Sequence, residues 1–562
     1  MPSVRNSVGR EVGAFSQEGI LNYDTFLLSA DGETLYVGGR DAILALNISS
    51  APIRLKGKIP WSPSPEKRRE CVFKKKSNET ECFNFIRILV QLNKTHLYTC
   101  GTYAFSPTCA YIVRQPLLQE GKGLCPFDPR HKGLQGGPIS CSAFSPPPPR
   151  GDRTVLKTDG FLSWLHDDAV FVASFNVPGP PEEEKIYFFF EETAKEFDFF
   201  EKLTVSRVAR VCKNDVGGDK VLQKKWTTFL KAHLSCSQAG LFPHTVLQHV
   251  FALPQPGGSF LFYGVFASQW QTGSSGSSAV CAFSLDAIEK AFAGKFKELN
   301  KDCSRWMTYS GPAMDPRPGS CSVGPSSDKA LTFMKDHFLM DEKVAPIHNK
   351  PLLVKEDVKY TRIVVHQAQA ACGAACAILF LGTDRGSLHK AVVVGRKAHI
   401  IEEVQLFERP EPVQNLLLVP EKVSLGWAFI ISRGGGVINR GERDLCQDPL
   451  FWPKSSSEGL DALCGAAVEG HQQFFIQMLF PEKPQVIESL LGPFDQRCNV
   501  GTQVSSSFRV TPRNLKLATC SPRSPLKSKA GGLIYAFHIV HYQSYWCGGP
   551  SYCLHIMKTT SW

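Results

Sequence analysis

The sequence predicts an all-β protein built from small repeated sheets. Short aromatic and β-branched runs closed by glycine recur through roughly four hundred residues, two of them continue into strand–turn–strand repeats, and helical spacing is confined to three segments. Hairpins recurring in this way suit radial repetition, a β-propeller, in which four-stranded sheets pack face to face around an axis and expose only short edges. A pair of β-sandwiches fits the same pattern and stays open on pattern alone.

The strands follow in order. Leu35–Gly38 is the first run, and Leu97–Gly101 repeats its form. Lys185–Phe190 is a continuous aromatic run bounded by Glu191 and Glu192; Phe260–Gly264 and Ile378–Gly382 complete the set. The stretches 35–46 and 379–391 read as hairpins whose tight turns place Gly or Asp beside Arg. Helical spacing appears at 220–233, 286–296 and 329–340, where the apolar residues suit packing against a core. Between 133 and 152 the chain holds Gly136-Gly137 and Pro146–Pro149, and proline cannot donate to a central ladder.

The chain has 562 residues, a formal net charge of +11, 43% hydrophobic and 20% charged residues, enough to build a core and to exclude global disorder. The apolar run Leu425–Ile431 is interrupted by Gly426 and falls short of the ~18–20 residues of a membrane span. Met1–Gln17 carries Arg5, Arg10 and Glu11 without an apolar stretch, so residues 1–14 read as an extension without a signal peptide. Yet 19 cysteines and the sequons at Asn47, Asn78 and Asn93 favour an extracellular setting. The two signals together suggest a chain separated from its leader.

Cys71 and Cys82, and Cys100 and Cys109, have spacings that suit local bridges across a turn. Spacing leaves the connectivity of Cys212, Cys236, Cys281 and Cys321 open, and an odd total leaves at least one thiol over. Cys372 and Cys376 lack the second pair or histidine cluster of a metal site. No phosphate-binding loop, dinucleotide fingerprint, zinc-protease helix or nucleophile elbow occurs, so neither catalytic residues nor a cofactor or metal are expected. Glu182–Glu184 and Glu191–Glu192 read as solvated strand ends rather than paired catalytic acids. The basic clusters Lys67–Arg69 and Lys74–Lys76 lack interleaved aromatics and a nucleic-acid module; a solvated loop, or steering toward an anionic surface, is expected instead.

Longer motifs carry a resemblance. Phe15–Tyr23 followed by Leu35–Gly38, Cys100-Gly-Thr-Tyr-Ala-Phe-Ser-Pro-Thr-Cys109, Gly121–Pro129, Ile186–Glu192, Ser206–Asp215 with Trp226–Ala232, Pro316–Cys321 and Asp336–Met340 occur in order. Across roughly residues 15–418 the chain resembles the sema domain of semaphorins, and among them class 4. The resemblance implies a seven-bladed β-propeller, taken here as residues 15–440, with bridges Cys71–Cys82, Cys100–Cys109, Cys212–Cys321 and Cys236–Cys281 and an unpaired Cys125. It also implies an extracellular or cell-surface ligand that forms homodimers, binds plexin receptor ectodomains and steers cell migration and axon growth as a chemorepellent. Contacts are expected at Glu191, Glu192, Lys213, Asp215 and Lys231.

The chain departs from the family at 133–152, where one blade is expected to be incomplete, and at His366–Ala377. After Leu418 the likeness fades. Residues 441–562 are expected to form an irregular tail without the usual cysteine-rich and immunoglobulin-like modules or membrane anchor, so membrane association would require the parent protein's anchor. The alternative expectation is an aberrant or truncated splice product, non-functional or a decoy.

Overall fold

The computed structural model describes residues 12–442, except 50–52, 124–155, 157, 159–163, 198–201, 239–242, 270–275, 301, 304, 322–327, 370–374, 408, 420–426 and 434–435, together with residues 538–546 and 553–561. The chain divides into one compact unit ending at Asp448 and a second, Pro449–Trp562.

Strand β1 is Val12–Phe15. The first sheet is β2 (Thr25–Leu28), β3 (Thr34–Gly39), β4 (Ala42–Asn47) and β5 (Arg54–Pro60), adjacent in that order. Helix α1 (Pro65–Phe73) leads to the second sheet, β6 (Ile86–Gln91), β7 (His96–Gly101), β8 (Thr108–Val113) and β9 (Leu118–Gly123). The third begins with β10 (Val170–Val177), β11 (Lys185–Thr193), β12 (Thr204–Cys212) and β13 (Leu230–Leu234). The fourth begins with β14 (Val246–Pro254), β15 (Phe260–Ala267) and β16 (Ser278–Ser284). An insertion follows: α2 (Leu285–Ala293), β17 (Phe296–Asn300), β18 (Arg305–Thr308), α3 (Asp328–Asp336) and β19 (Leu339–Met340). Strands β19, β17 and β18 widen the third sheet to seven strands, and β20 (Leu353–Lys355) then completes the fourth. The fifth is β21 (Tyr360–Gln369), β22 (Ala375–Thr383), β23 (Ser387–Val394) and β24 (Lys397–Gln405). The sixth is β25 (Asn415–Val419), β26 (Trp427–Arg433) and β27 (Gly436–Glu442), closed by β1.

The first strands pack against one another in succession. β6 meets β2, β2 meets β25, β25 meets β21, β21 meets β14, and β14 meets β10. The antiparallel pairing of β1 with β27, from Val12 opposite Arg440 to Phe15 opposite Val437, joins the start of the described residues to the sixth sheet, which sits mid-arc between the first and the fifth. Part of the expected N-terminal extension therefore belongs to the sixth sheet, because three C-terminal strands leave one edge to be filled. Between β6 and β10 the chain passes through the stretch expected to hold an incomplete blade; residues 133–152 lie outside the described residues, as does Cys125.

The glycines that close the sequence runs have a packing reason. A Cβ on Gly38 would come within 2.5 Å of Ile86, which opens the second sheet. A Cβ on Gly382 would come within 2.6 Å of Val413, just before the sixth. In both sheets the missing side chain lets the neighbouring sheet approach. The largest core runs through the third and fourth sheets. Phe188, Phe189 and Phe190 are buried, Phe189 lies 5.0 Å from Phe262 between ring centres, and Trp164 stacks on Phe229 at 5.4 Å.

Two of the three expected helices form, as α2 and α3. The third, at 220–233, does not. Leu222 and Lys224 have φ of +55°, which a right-handed helix excludes, and Leu230–Leu234 joins the sheet as β13. Its buried apolar residues, Leu222, Trp226, Phe229 and Leu230, fill the core from a turn and a strand. Conversely, α1 forms within a stretch read as a basic loop. Ser64 caps it, accepting from Lys67 N–H, and Pro65 occupies the first turn. In the tail expected to be irregular, β28 (His538–Trp546) and β29 (Cys553–Ser561) pair antiparallel along their full length. Their β-branched and aromatic content accounts for the hairpin.

Candidate interaction site

The third sheet carries the residues expected to meet a partner, and its register sorts them by face. Arg207 of β12 stands opposite Phe190 of β11 on one side and His233 of β13 on the other. Glu192 lies two residues along β11, and Lys231 two residues along β13, so all four ionisable groups share one face. Glu192 is 2% exposed and Lys231 is 5% exposed. Glu192 Oε1 accepts from Arg207 Nε at 2.9 Å and from Lys231 Nζ at 2.5 Å, while its Oε2 accepts from His166 N–H at 3.0 Å. Glu196, from the turn after β11, lies 2.6 Å from Arg207 Nη2. Burial opposes the Glu192 charge, but Lys231 and Arg207 hold its carboxyl below the ordinary range. Burial, with Arg207 and Lys343 adding to it, pushes His233 well below its ordinary value, so it stays neutral. Arg207 Nη1 and His233 Nδ1 find no hydrogen-bond partner among the described residues.

This overturns the reading of Glu191–Glu192 as solvated strand ends. β11 runs on through Thr193, and the charge of Glu192 is tolerated inside because two cations neutralise it. Glu192 and Lys231 are therefore withdrawn as contact residues, since they present almost no surface to a partner. Glu191 faces the opposite side and is half-buried. Burial, reinforced by the Asp168 carboxylate and opposed by Lys359, pushes its carboxyl up to about 7.

Asp215 is occupied within its own loop. Its carboxylate accepts from Gly217 N–H at 2.9 Å, from Thr227 N–H at 2.8 Å and Thr228 N–H at 3.0 Å, and from both threonine hydroxyls. Those bonds pin both ends of the 216–226 loop and leave Val216 83% exposed at its start. Lys213 pairs with Glu184, both partly exposed, and Asn214 Nδ2 donates to Glu182 O and to Cys321 O. Of the five expected contacts, only Lys213, in its ion pair with Glu184, keeps a charge at partly exposed surface; Glu191 is half-buried, with its Oε2 sealed off. A residue that pattern reading did not flag also organises this sheet: Glu289 of α2 pairs with Lys185 and Arg210, each at 2.7 Å, and accepts from Tyr187 Oη. Its only signal was a carboxylate on a short amphipathic helix.

Four disulfides brace the sheets: Cys71–Cys82, Cys100–Cys109, Cys212–Cys321 and Cys236–Cys281. Cys100 and Cys109 are direct partners across β7 and β8, and Cys212–Cys321 ties the end of β12 to the insertion. Asn78 and Asn93 are exposed, and Asn47 is half-exposed at the end of β4. Asn93 Oδ1 accepts from Thr95 N–H at 2.8 Å and from its hydroxyl at 3.0 Å, and Asn47 holds Ser49 in the same way. A depression of about 260 Å³ lies between α2 and the 342–349 segment. Among the described residues no cluster of metal-ligating side chains occurs, and no helix is long and apolar enough to cross a membrane.

The Sema domain family matches residues 247–420. Human Semaphorin-4A is 55% identical over 462 residues, covering 77% of this chain and 59% of that protein. The solved structure of Drosophila Semaphorin 1a, extracellular domains 1-2, superposes with a TM-score of 0.65 at 30% identity, covering 78% of this chain and 90% of that one. The chain belongs to the semaphorin family. Other class 4 semaphorins, such as mouse Semaphorin-4D at 41% identity, lie further off. A chain from the structure of Drosophila Plexin A in complex with Semaphorin 1b has a TM-score of 0.63 at 28% identity, covering 76% of this semaphorin and 86% of that chain. The chain spans under two thirds of the length of its Semaphorin-4A relatives.

Proposed function

We propose that this chain is an extracellular ligand that binds a plexin ectodomain through a seven-bladed β-propeller, one blade of it incomplete within 133–152. It acts by surface complementarity, with no bond chemistry. The observation that carries this reading is its likeness to a chain of a semaphorin–plexin complex over three quarters of its length. The bridged sheets support it, since cross-links persist outside the cell and limit how far loops can wander. Asn47, Asn78 and Asn93 carry glycans in this reading, and the propeller expected over 15–440 runs from β1 to β27, residues 12–442. Homodimerisation presents two receptor patches, each interface on the order of 1,600 Å² in total, and bivalency raises effective concentration at the membrane. The cellular output is redirected migration and repulsion of growing axons.

Surface plasmon resonance of the secreted full chain over an immobilised plexin ectodomain tests the reading. Saturable binding is expected, and Lys213→Glu should weaken it about tenfold, roughly 1.4 kcal/mol. A folded, disulfide-bonded chain with no binding to any plexin class would overturn the function. Binding that Lys213→Glu leaves unchanged would remove Lys213 from the interface.

A further inference from the structure

Four of the first strands carry a one-residue bulge near their start. The pairing skips Arg87 in β6, Val172 in β10, Gln248 in β14 and Thr361 in β21. A bulge leaves one residue without a ladder partner and re-aims the side chains beside it. Three basic residues sit on or next to these bulges: Arg87, His249 and Arg362. The two arginines address one carboxylate, Asp24, immediately before β2. Arg87 Nη1 lies 3.3 Å from Asp24 Oδ2, and Arg362 acts electrostatically on both Asp24 and His249. Asn415, at the start of β25, donates to Asp24 O at 2.9 Å. Residues from the first, second, fourth, fifth and sixth sheets therefore converge at one level. Arg362 and Asp24 belong to sheets separated by the sixth, so they address each other across the space on the inner side of the arc of first strands.

Among the described residues the charges here do not balance: two guanidiniums face one carboxylate. Burial raises the Asp24 carboxyl, and the two arginines only partly offset it. Arg362 makes a single hydrogen bond, from Nη1 to Thr361 O at 2.7 Å, and no carboxylate lies within 4.0 Å of it among the described residues. Among the described residues none of its nitrogens is sealed off without a partner, although burial, partly offset by Asp24, pushes its guanidinium down to about 10. His249 Nδ1 accepts from Ile363 N–H at 3.3 Å, and burial holds the ring neutral. A neutral imidazole that accepts at Nδ1 carries its proton on Nε2 and is a donor there. A planar guanidinium fork, a second guanidinium and an imidazole N–H make a donor set suited to an oxyanion.

We propose that the inner space of the ring binds a small tetrahedral oxyanion between Arg362, Arg87 and His249. The ligand neutralises the excess guanidinium and links the first strands of the second, fourth and fifth sheets. Because the site exists only in the folded ring, the anion stabilises the fold by mass action.

Thermal unfolding of the full chain, titrated with sodium sulfate against sodium chloride at matched ionic strength, tests this. Sulfate stabilises proteins generally, but that effect grows without saturating and is the same in every variant. A saturable component is expected in the unaltered chain, and Arg362→Gln should weaken its apparent affinity at least tenfold. Asp24→Asn should instead strengthen it about threefold or more, because it removes the competing carboxylate. Calorimetric titration of sulfate into the same proteins checks the order of affinities. No saturable component in the unaltered chain overturns the site, and so does equal saturation in all three proteins. Should Arg362→Gln fail to fold, unchanged or weakened binding by Asp24→Asn overturns it alone.

Discussion

Replacing Glu192 with leucine should be among the costliest single changes available in the third sheet. Glu192 is the only carboxylate within 4.0 Å of Lys231 among the described residues, at 2.5 Å. Arg207 would keep Glu196 at 2.6 Å, but Lys231, 5% exposed, would be left as a buried and unpaired cation. Breaking a buried pair from one side costs about 3–5 kcal/mol, whereas replacing both partners by apolar groups of similar size is often close to neutral. Glu192→Leu is therefore expected to lose about 3–5 kcal/mol. The double variant Glu192→Leu/Lys231→Met should recover at least about 2 kcal/mol of that, a coupling typical of residues in direct contact. Lys231→Met alone should cost less than Glu192→Leu, because Glu192 keeps Arg207 at 2.9 Å. Urea unfolding of the oxidised protein, followed by tryptophan fluorescence, measures all three. A double variant no more stable than Glu192→Leu would refute the reasoning and make the cluster a matter of shape and not of charge.

Other consequences can be measured on the same protein. The Glu191 carboxyl is raised from 4.5 to about 7 in the fold, so the stability it contributes is complete below pH 4.5 and is lost as the pH rises through 7. Glu191→Gln should thus stabilise the protein by about 2–3 kcal/mol above pH 7 and leave it unchanged near pH 4; equal effects at both pH values would contradict the assignment. The Glu192 carboxyl is lowered, so its contribution is present above the ordinary carboxylate value and disappears as the pH falls through the lowered one; acid titration of Glu192→Gln against the unaltered chain should show that loss only in the latter. Gly382→Ala places a Cβ within 2.6 Å of Val413 and should destabilise by about 1–3 kcal/mol, an overpacking cost that Val413→Ala in the same chain relieves only in part, since the Val413 Cβ itself lies 2.8 Å away. Asp215→Ala removes five hydrogen bonds from the 216–226 loop and should raise proteolytic nicking there without altering far-ultraviolet circular dichroism.

Much of the architecture is written in local pattern. The runs ending at Gly38, Gly101, Gly264 and Gly382 are each the second strand of a sheet, and local composition sets them because a strand between two neighbours must be apolar and β-branched or aromatic. The Cys100–Cys109 bridge is equally local: it joins two positions nine apart that a hairpin places opposite each other. Helical spacing at 220–233 misled for a physical reason. Leu222, Trp226, Phe229 and Leu230 are buried as the pattern implies, but a turn with two left-handed residues delivers them. Periodicity reports which residues are buried and not the backbone that buries them.

The site depended on tertiary structure throughout. Whether a glutamate at the end of an aromatic run is solvated or buried depends on what lies opposite it. Arg207 and Lys231 reach Glu192 only through the register of β11, β12 and β13, which aligns residues up to thirty-nine positions apart. The same holds for Asp24, Arg87 and Arg362, brought together from separate sheets by the succession of first strands along the arc. Strands, glycine gaps and short bridges are legible in the chain because they are governed by neighbours within a few residues. Which charges are paired and which are left in excess emerges on folding, because electrostatic partners are chosen by distance in space and by the water removed around them.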